Sequence, residues 1–292
     1  MTETFPLPER AGATDGLSPA AATERLSINQ ITVKSWTFEE TVRGCARHGI
    51  GHVGAWLDSV AEIGVDKAAG VLADHGVSVS SVCRAGFFTG NSPDRSWAGR
   101  ADNERAIDMT ARLGADVLYL VCGGVADNRD LPAARAAVRD GLVELVPYAA
   151  ERGVRLALEP LHPMMCAERS VIVTLDQAVE LAEPFGPDEV GIAIDTYNVW
   201  WDPRLAEGIE RAGDRIIGYQ VCDWLVPQPH PVFGRGLPGE GVIDLRGITR
   251  AVDATGYDGP IEVEIFNENV WSSPPDEVIR VIKERFTASV LG

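Results

Sequence analysis

From residue 26 onward, short apolar runs alternate with longer stretches of helical period, and the cycle repeats eight times. This alternation marks parallel βα units, in which a buried strand reads as an apolar run and its crossover helix reads with a 3.6-residue period. The strand candidates are 26–33, 52–56, 77–83, 117–122, 155–159, 190–195, 216–222 and 261–266. Amphipathic stretches between them include 37–48, 103–113, 131–152, 175–184 and 245–255. Gly49, Gly76, Gly114, Gly153 and Gly256 each stand shortly before a strand, where helix C-caps favour glycine. Eight evenly spaced units predict an α/β chain closed into one (β/α)8 TIM barrel, a single domain over residues 26–292. A doubly wound open sheet is the alternative, but no G-x-G-x-x-G fingerprint follows the first strand.

The length of 292 residues suits such a barrel, since these folds run to about 250 residues as one unit. With 45% apolar and 24% charged residues, the chain has the composition of a globular protein with a sizeable core. A formal charge of -17 repels a phosphate backbone, which argues against a nucleic-acid partner. No stretch approaches the roughly 18 consecutive apolar residues of a membrane span, so no membrane partner is expected. Cys45, Cys83, Cys122, Cys166 and Cys222 are scattered without a C-x-x-C pair and read as buried free thiols of a reducing cytoplasm. Residues 1–25 lack an apolar run of signal-peptide length and are expected to form a flexible N-terminal extension.

In a (β/α)8 barrel, polar residues at the C-terminal strand ends converge on the mouth. Strand five ends in Glu159, strand six in Asp195, strand seven carries Gln220 and strand eight carries Glu264. Three carboxylates and an amide oxygen form an all-oxygen set that suits Mg2+ or Mn2+ better than a softer metal. A carboxylate after a strand can instead cap the next helix, but four candidate ligands on consecutive strands favour a site. Mutually close anions shift one another's pKa unless a cation compensates them, so the cluster implies one divalent ion. Glu262 shares the parity of Glu264 yet lies one pleat deeper, and is the less expected ligand.

His162, in EPLHP past strand five, is a candidate for proton transfer or for donation to a substrate oxygen. His52 opens strand two at the far end of the barrel and is expected to be structural, while His48 and His75 lie near helix ends. The longest irregular stretch, 223–241, is rich in Pro and Gly and follows strand seven, which puts it at the catalytic rim. It holds His230 and Arg235, and an arginine there is placed to clamp a carboxylate or phosphate. Trp56, Trp200, Trp201 and Trp224 fall near mouth-side strand ends, where their rings would wall a pocket or pack the core. Asn29, Arg84, Asp202 and Asp223 are further candidates for polar contacts at the rim.

With these acids in place, and with LEPLHP, DTYNVWWDP, YQVCDW and PGEGVID around them, the chain resembles the xylose isomerase-like barrel superfamily of sugar phosphate isomerases and epimerases over residues 26–288. Ketose 3-epimerases of that superfamily carry His where this chain has Gln220, and another His where it has Asn198. Gln at the third ligand position is similar to hydroxypyruvate isomerase and 3-dehydroshikimate dehydratase relatives. DNA-repair endonucleases share the barrel but use a histidine-rich zinc cluster, which five scattered histidines do not build.

The resemblance implies a metal-dependent isomerase or epimerase working through an enediolate on a sugar or keto-sugar. Glu159 and Glu264 would flank the carbon chain as acid/base pair and metal ligands, with Asp195 and Gln220 as ligands only. Asn198, Trp56, Trp201, Asp223, Trp224 and Arg235 would contact a small-molecule carbohydrate or keto-acid substrate. A lyase of the same family, a dehydratase or a 3-oxo-C-glycoside deglycosidase with His162 as acid, is the alternative. A non-catalytic barrel subunit is a further one. A homo-oligomer or a small partner subunit is compatible with the barrel's free faces.

Overall fold

The computed structural model describes residues 23–90, 99–125, 127 and 129–291. Most of the expected N-terminal extension lies outside the described residues. Arg25, its last residue, is fastened to the barrel: Nη1 meets Asp253 Oδ1 at 2.8 Å and Nε donates to Gly259 O at 2.8 Å.

Eight parallel strands close on themselves: β1 (Leu26–Asn29), β2 (His52–Trp56), β3 (Ser78–Gly86), β4 (Val117–Val121), β5 (Arg155–Leu158), β6 (Val190–Asp195), β7 (Ile216–Val221) and β10 (Ile261–Val263). Two short strands after β7, β8 (Asp223–Trp224) and β9 (Arg235–Gly236), form a separate antiparallel pair at the rim. The seam pairs β1 with β10 in the register Leu26↔Ile261, Ser27↔Glu262 and Ile28↔Val263. Thr32 extends that seam, its Oγ1 donating to Val263 O at 3.0 Å and accepting from Ile265 N at 2.9 Å. All eight expected barrel strands are present, and the alternative open sheet is not. Among the described residues no helix is long and apolar enough to cross a membrane.

β1 stops at Asn29, four residues short of the expected end, because the Asn29 side chain accepts from Ile31 N at 3.0 Å and turns the chain into a 3-10 segment over Gln30–Val33. The helix Phe38–Arg47 starts on a full capping box between Thr37 and Glu40. The five glycines expected at helix ends all have positive φ.

Along the strands, one parity faces the helices and the other faces the barrel axis. Leu118, Leu156 and Ile192 pack into the large cluster shared with the helices, whereas Val117, Tyr119, Ala157, Ala193 and Ile217 form an inner cluster with Cys83. A Cβ at Gly218 would lie 2.1 Å from the Tyr119 hydroxyl, so the absent side chain makes room for a buried tyrosine. The interior is therefore a packed plug, and the mouth above it is where the polar residues gather.

Candidate active site

Glu159 and Glu264 occupy equivalent places, each one residue beyond its barrel strand, β5 and β10. Their amides continue the ladder, Glu159 N to Leu120 O and Glu264 N to Val221 O, both at 3.3 Å. Asp195 ends β6 and serves two purposes at once. Its Oδ1 caps the turn Thr196–Val199 by accepting from Tyr197 N at 3.0 Å, while Oδ2 faces the other acids. Gln220 on β7 is in register with Asp195 on one side and Glu262 on the other.

Two donors knit the three acids together. Asn198 Nδ2 reaches Glu159 Oε1 at 3.0 Å and Asp195 Oδ2 at 2.8 Å. Arg235 Nη1 reaches the same Asp195 Oδ2 at 2.9 Å and Glu264 Oε2 at 2.8 Å. The guanidinium lies over the rings of Tyr197 and Phe266, 4.7 and 4.9 Å from their centroids. The acids, Asn198, Arg235 and Tyr197 are all buried. Burial, reinforced by Asp195 and Glu264, holds the Glu159 carboxyl well above the usual carboxylate range. Burial likewise pushes Glu264 up to about 8 against the pull of Arg235, and raises Asp195.

The mouth cavity is lined by Glu159, Glu264, Asn198, Arg235, Trp56 and Arg84 from the expected residues, together with Cys83. Tyr197, Leu161, Met165 and Phe266 line it too; none was singled out in the sequence, although Leu161 lies in LEPLHP and Tyr197 in DTYNVWWDP, and only the closed barrel turns them to the mouth. Trp56 donates Nε1 to Asn29 Oδ1 at 2.7 Å and meets Phe266 edge-on at 5.8 Å.

His162 is not among the lining residues; its half-buried ring stacks on Trp224 at 5.1 Å and meets Trp201 edge-on at 5.7 Å. Burial lowers its pKa, and Nδ1 accepts from Met164 N at 3.3 Å. Trp201 and Trp224 thus wall the outside of the site, with Trp201 Nε1 bonded to Asn198 O at 2.7 Å. Asp223 requires a correction. Instead of facing a substrate, its carboxylate is buried and accepts from Trp224 N, Gly239 N and Ile243 N at 2.9–3.0 Å, which ties down the PGEG turn.

Of the expected ligands, Glu159, Asp195 and Glu264 are joined through Asn198 and Arg235 without an open centre, and Gln220 stands beside Asp195 in the strand register. Among the described residues no three Asp, Glu, His or Cys side chains are arranged as metal ligands, because the Arg235 guanidinium stands between Asp195 and Glu264. The donor chemistry nonetheless fits a hard divalent ion. Three buried carboxylates cluster here, two of them paired with one guanidinium, and the buried Gln220 Oε1 has no hydrogen-bond partner among the described residues.

Residues 42–285 match the family described as the xylose isomerase-like TIM barrel. The chain belongs to that family. The crystal structure of protein SMc04130 from Sinorhizobium meliloti 1021 is 44% identical, with a TM-score of 0.87 over 92% of this chain and 100% of that one. A 3-dehydroshikimate dehydratase of Pseudomonas aeruginosa is 32% identical over 59% of this chain and 26% of its own, so the chain spans about a quarter of that relative's length. An inosose isomerase of Bacillus velezensis is 24% identical over 91% of this chain and 97% of its own. The IOLI protein, solved with a zinc atom, shares the fold at 21% identity and a TM-score of 0.78, covering 91% of this chain and 98% of that one.

Proposed function

We propose that this barrel is a divalent-metal-dependent isomerase or epimerase of a sugar or keto-sugar, with Glu159 and Glu264 as its acid/base pair. The observation that carries the reading is the symmetric placement of those two acids. Each stands one residue past its strand, each lines the cavity, and each is linked to Asp195 by one shared donor. The isomerase relative and the zinc in a neighbour of the same fold support it.

Glu159, Asp195, Glu264 and the carbonyl of Gln220 would hold Mg2+ or Mn2+. Once bound, the ion polarises a substrate carbonyl and acidifies the adjacent C–H. One glutamate takes that proton and the other returns it from the opposite side of the carbon chain, a general acid–base step that contributes about 10²- to 10⁴-fold. Asn198 fixes the Oε1 edge of Glu159, and Arg235 supplies a fixed positive charge beside Glu264 for the oxyanion that develops on proton loss. Trp56, Phe266 and Leu161 give the cavity an apolar wall that excludes water from the carbanion.

The dehydratase relative favours a second reading, in which the same proton abstraction is followed by loss of a β-hydroxyl. In that lyase His162, whose half-buried ring stacks on Trp224 beside the site and whose backbone N–H donates to Asn198 Oδ1 at 3.2 Å, is the candidate acid. Elemental analysis of the purified protein, coupled to solvent-deuterium incorporation into ketoses, keto acids and 3-oxo-glycosides, tests the proposal. Stoichiometric metal with exchange at one carbon and no water lost supports the isomerase, and water loss identifies the dehydratase. Folded protein that takes up no metal and exchanges no deuterium overturns both.

A further inference from the structure

Below the acids, one carboxylate of the barrel interior has no part in the proton transfers. We propose that Glu262 is a positioning residue that turns the Gln220 amide so that its oxygen, and not its nitrogen, faces the cation position. The inference rests on the metal-dependent reading above. A glutamine amide presents a donor arm and an acceptor arm of nearly equal size, and nothing in Gln220 itself selects between them. A carboxylate is acceptor-only, so a Glu262 carboxylate takes the NH2 arm and leaves the carbonyl on the other side.

The geometry is specific. Glu262 Oε1 accepts from Gln220 Nε2 at 2.7 Å and from Asn29 Nδ2 at 2.6 Å. Its Oε2 accepts from Ser80 Oγ at 2.6 Å and Ser81 Oγ at 2.8 Å. Four donors from three other strands therefore hold a single buried carboxylate, and the space it occupies is set by Gly54: a Cβ there would lie 2.5 Å from the carboxyl carbon and 2.6 Å from both oxygens. The outcome is the orphaned Gln220 Oε1. The same carboxylate also orients Asn29, whose Nδ2 touches Glu264 Oε1 at 3.2 Å and whose Oδ1 is held by Trp56 Nε1. Glu262 thus has a bond to Gln220 directly and to Glu264 through Asn29, a second layer behind two expected ligands on adjacent strands.

The test is a Mn2+ titration by calorimetry on the full chain, with near-UV circular dichroism to confirm packing. Glu262→Gln and Gly54→Ala, two independent disturbances of the same carboxylate, are each compared in the wild-type and Gln220→Glu backgrounds. With Gln220 present, either change should weaken Mn2+ binding about 10- to 100-fold, the usual effect of losing such a second-layer partner. With Gln220→Glu, whose carboxylate offers oxygen whichever way it turns, Glu262→Gln should leave binding unchanged or tighter. Equal losses in both backgrounds would mark Glu262 as merely structural and overturn the inference, as would unchanged affinity in both variants. Wild-type protein that takes up no Mn2+ would overturn the metal reading itself and this inference with it.

Discussion

Above about pH 8, where Glu264 is ionised, replacing Arg235 by alanine should destabilise the metal-free protein by about 3–5 kcal/mol, the cost of leaving buried charge without its partner. Arg235 Nη1 lies 2.9 Å from Asp195 Oδ2 and 2.8 Å from Glu264 Oε2, and neither acid nor the guanidinium is more than 10% exposed, so water neither screens the pair nor replaces it. Asn198 and Asn29 would still donate to the stranded carboxylates, but as neutral groups. Loss of the contacts over Tyr197 and Phe266 adds about 1–2 kcal/mol where desolvation is complete, which places the effect toward the upper end. Urea unfolding of both proteins in chelator would read the difference. Saturating Mn2+ should then recover more stability in the variant than in the wild type, since the ion would take over the task of compensating the acids. At a hundred times its dissociation constant, a ligand specific to the folded state contributes about 2.7 kcal/mol. A loss below about 1 kcal/mol without metal would mean that the guanidinium is not what compensates these acids, and the reasoning would fail.

Glu264→Gln should leave the fold intact while lowering turnover by at least about 10²-fold, and near-normal activity would remove Glu264 from the acid/base pair. His162→Ala should have a milder effect, and a loss as large as that of Glu264→Gln would show that the ring reaches the chemistry. The metal-free protein should lose stability as pH rises from about 6.5 to about 8, because burial holds Glu264 protonated in the folded state up to about 8 while the unfolded chain has released that proton. His162 and His52, lowered by burial, act in the opposite direction only below their ordinary 6.5, so urea midpoints across this window report the carboxylates. A flat or rising profile would contradict the burial argument, and bound Mn2+ should flatten the slope. Alkylation of the native protein should reach half-buried Cys166 before Cys45 and Cys122, whose thiols burial pushes up to about 12. Labelling of Cys45 at the rate of Cys166 would refute it.

The barrel and its acids were legible because strand parity and strand ends are written directly into a (β/α)8 sequence. Glu159 and Asp195 could be picked out by asking where an apolar run stops, and Gln220 and Glu264 as the polar residues carried near the ends of theirs. The same reasoning placed Glu262 one level deeper than Glu264, but its four partners come from three other strands, and no local pattern announces a contact between residues 54 and 262. Asp195 shows why single residues mislead: helix cap and site residue were alternatives in the sequence, and the structure uses one oxygen for each. Asp223 and Arg235 belong to a loop without periodicity. Their roles depend on the hairpin of β8 and β9, which sends the aspartate into the loop base and the arginine over the acids.

That hairpin meets the centre in two ways, through its base and through its outer span. Its base is pinned: Asp223 accepts three backbone amides, Arg235 N donates to Phe266 O at 3.2 Å, and Asn267 Nδ2 donates to Arg235 O at 2.9 Å. Its outer span carries the exposed Val226 and Phe233, 71% and 39% accessible. Between those two residues the span joins the mouth itself, Pro231 O accepting from the Tyr197 hydroxyl at 2.9 Å under the guanidinium, so a change there reshapes what the mouth admits and the charge balance of the centre together, while the pinned base keeps the Arg235 backbone in place.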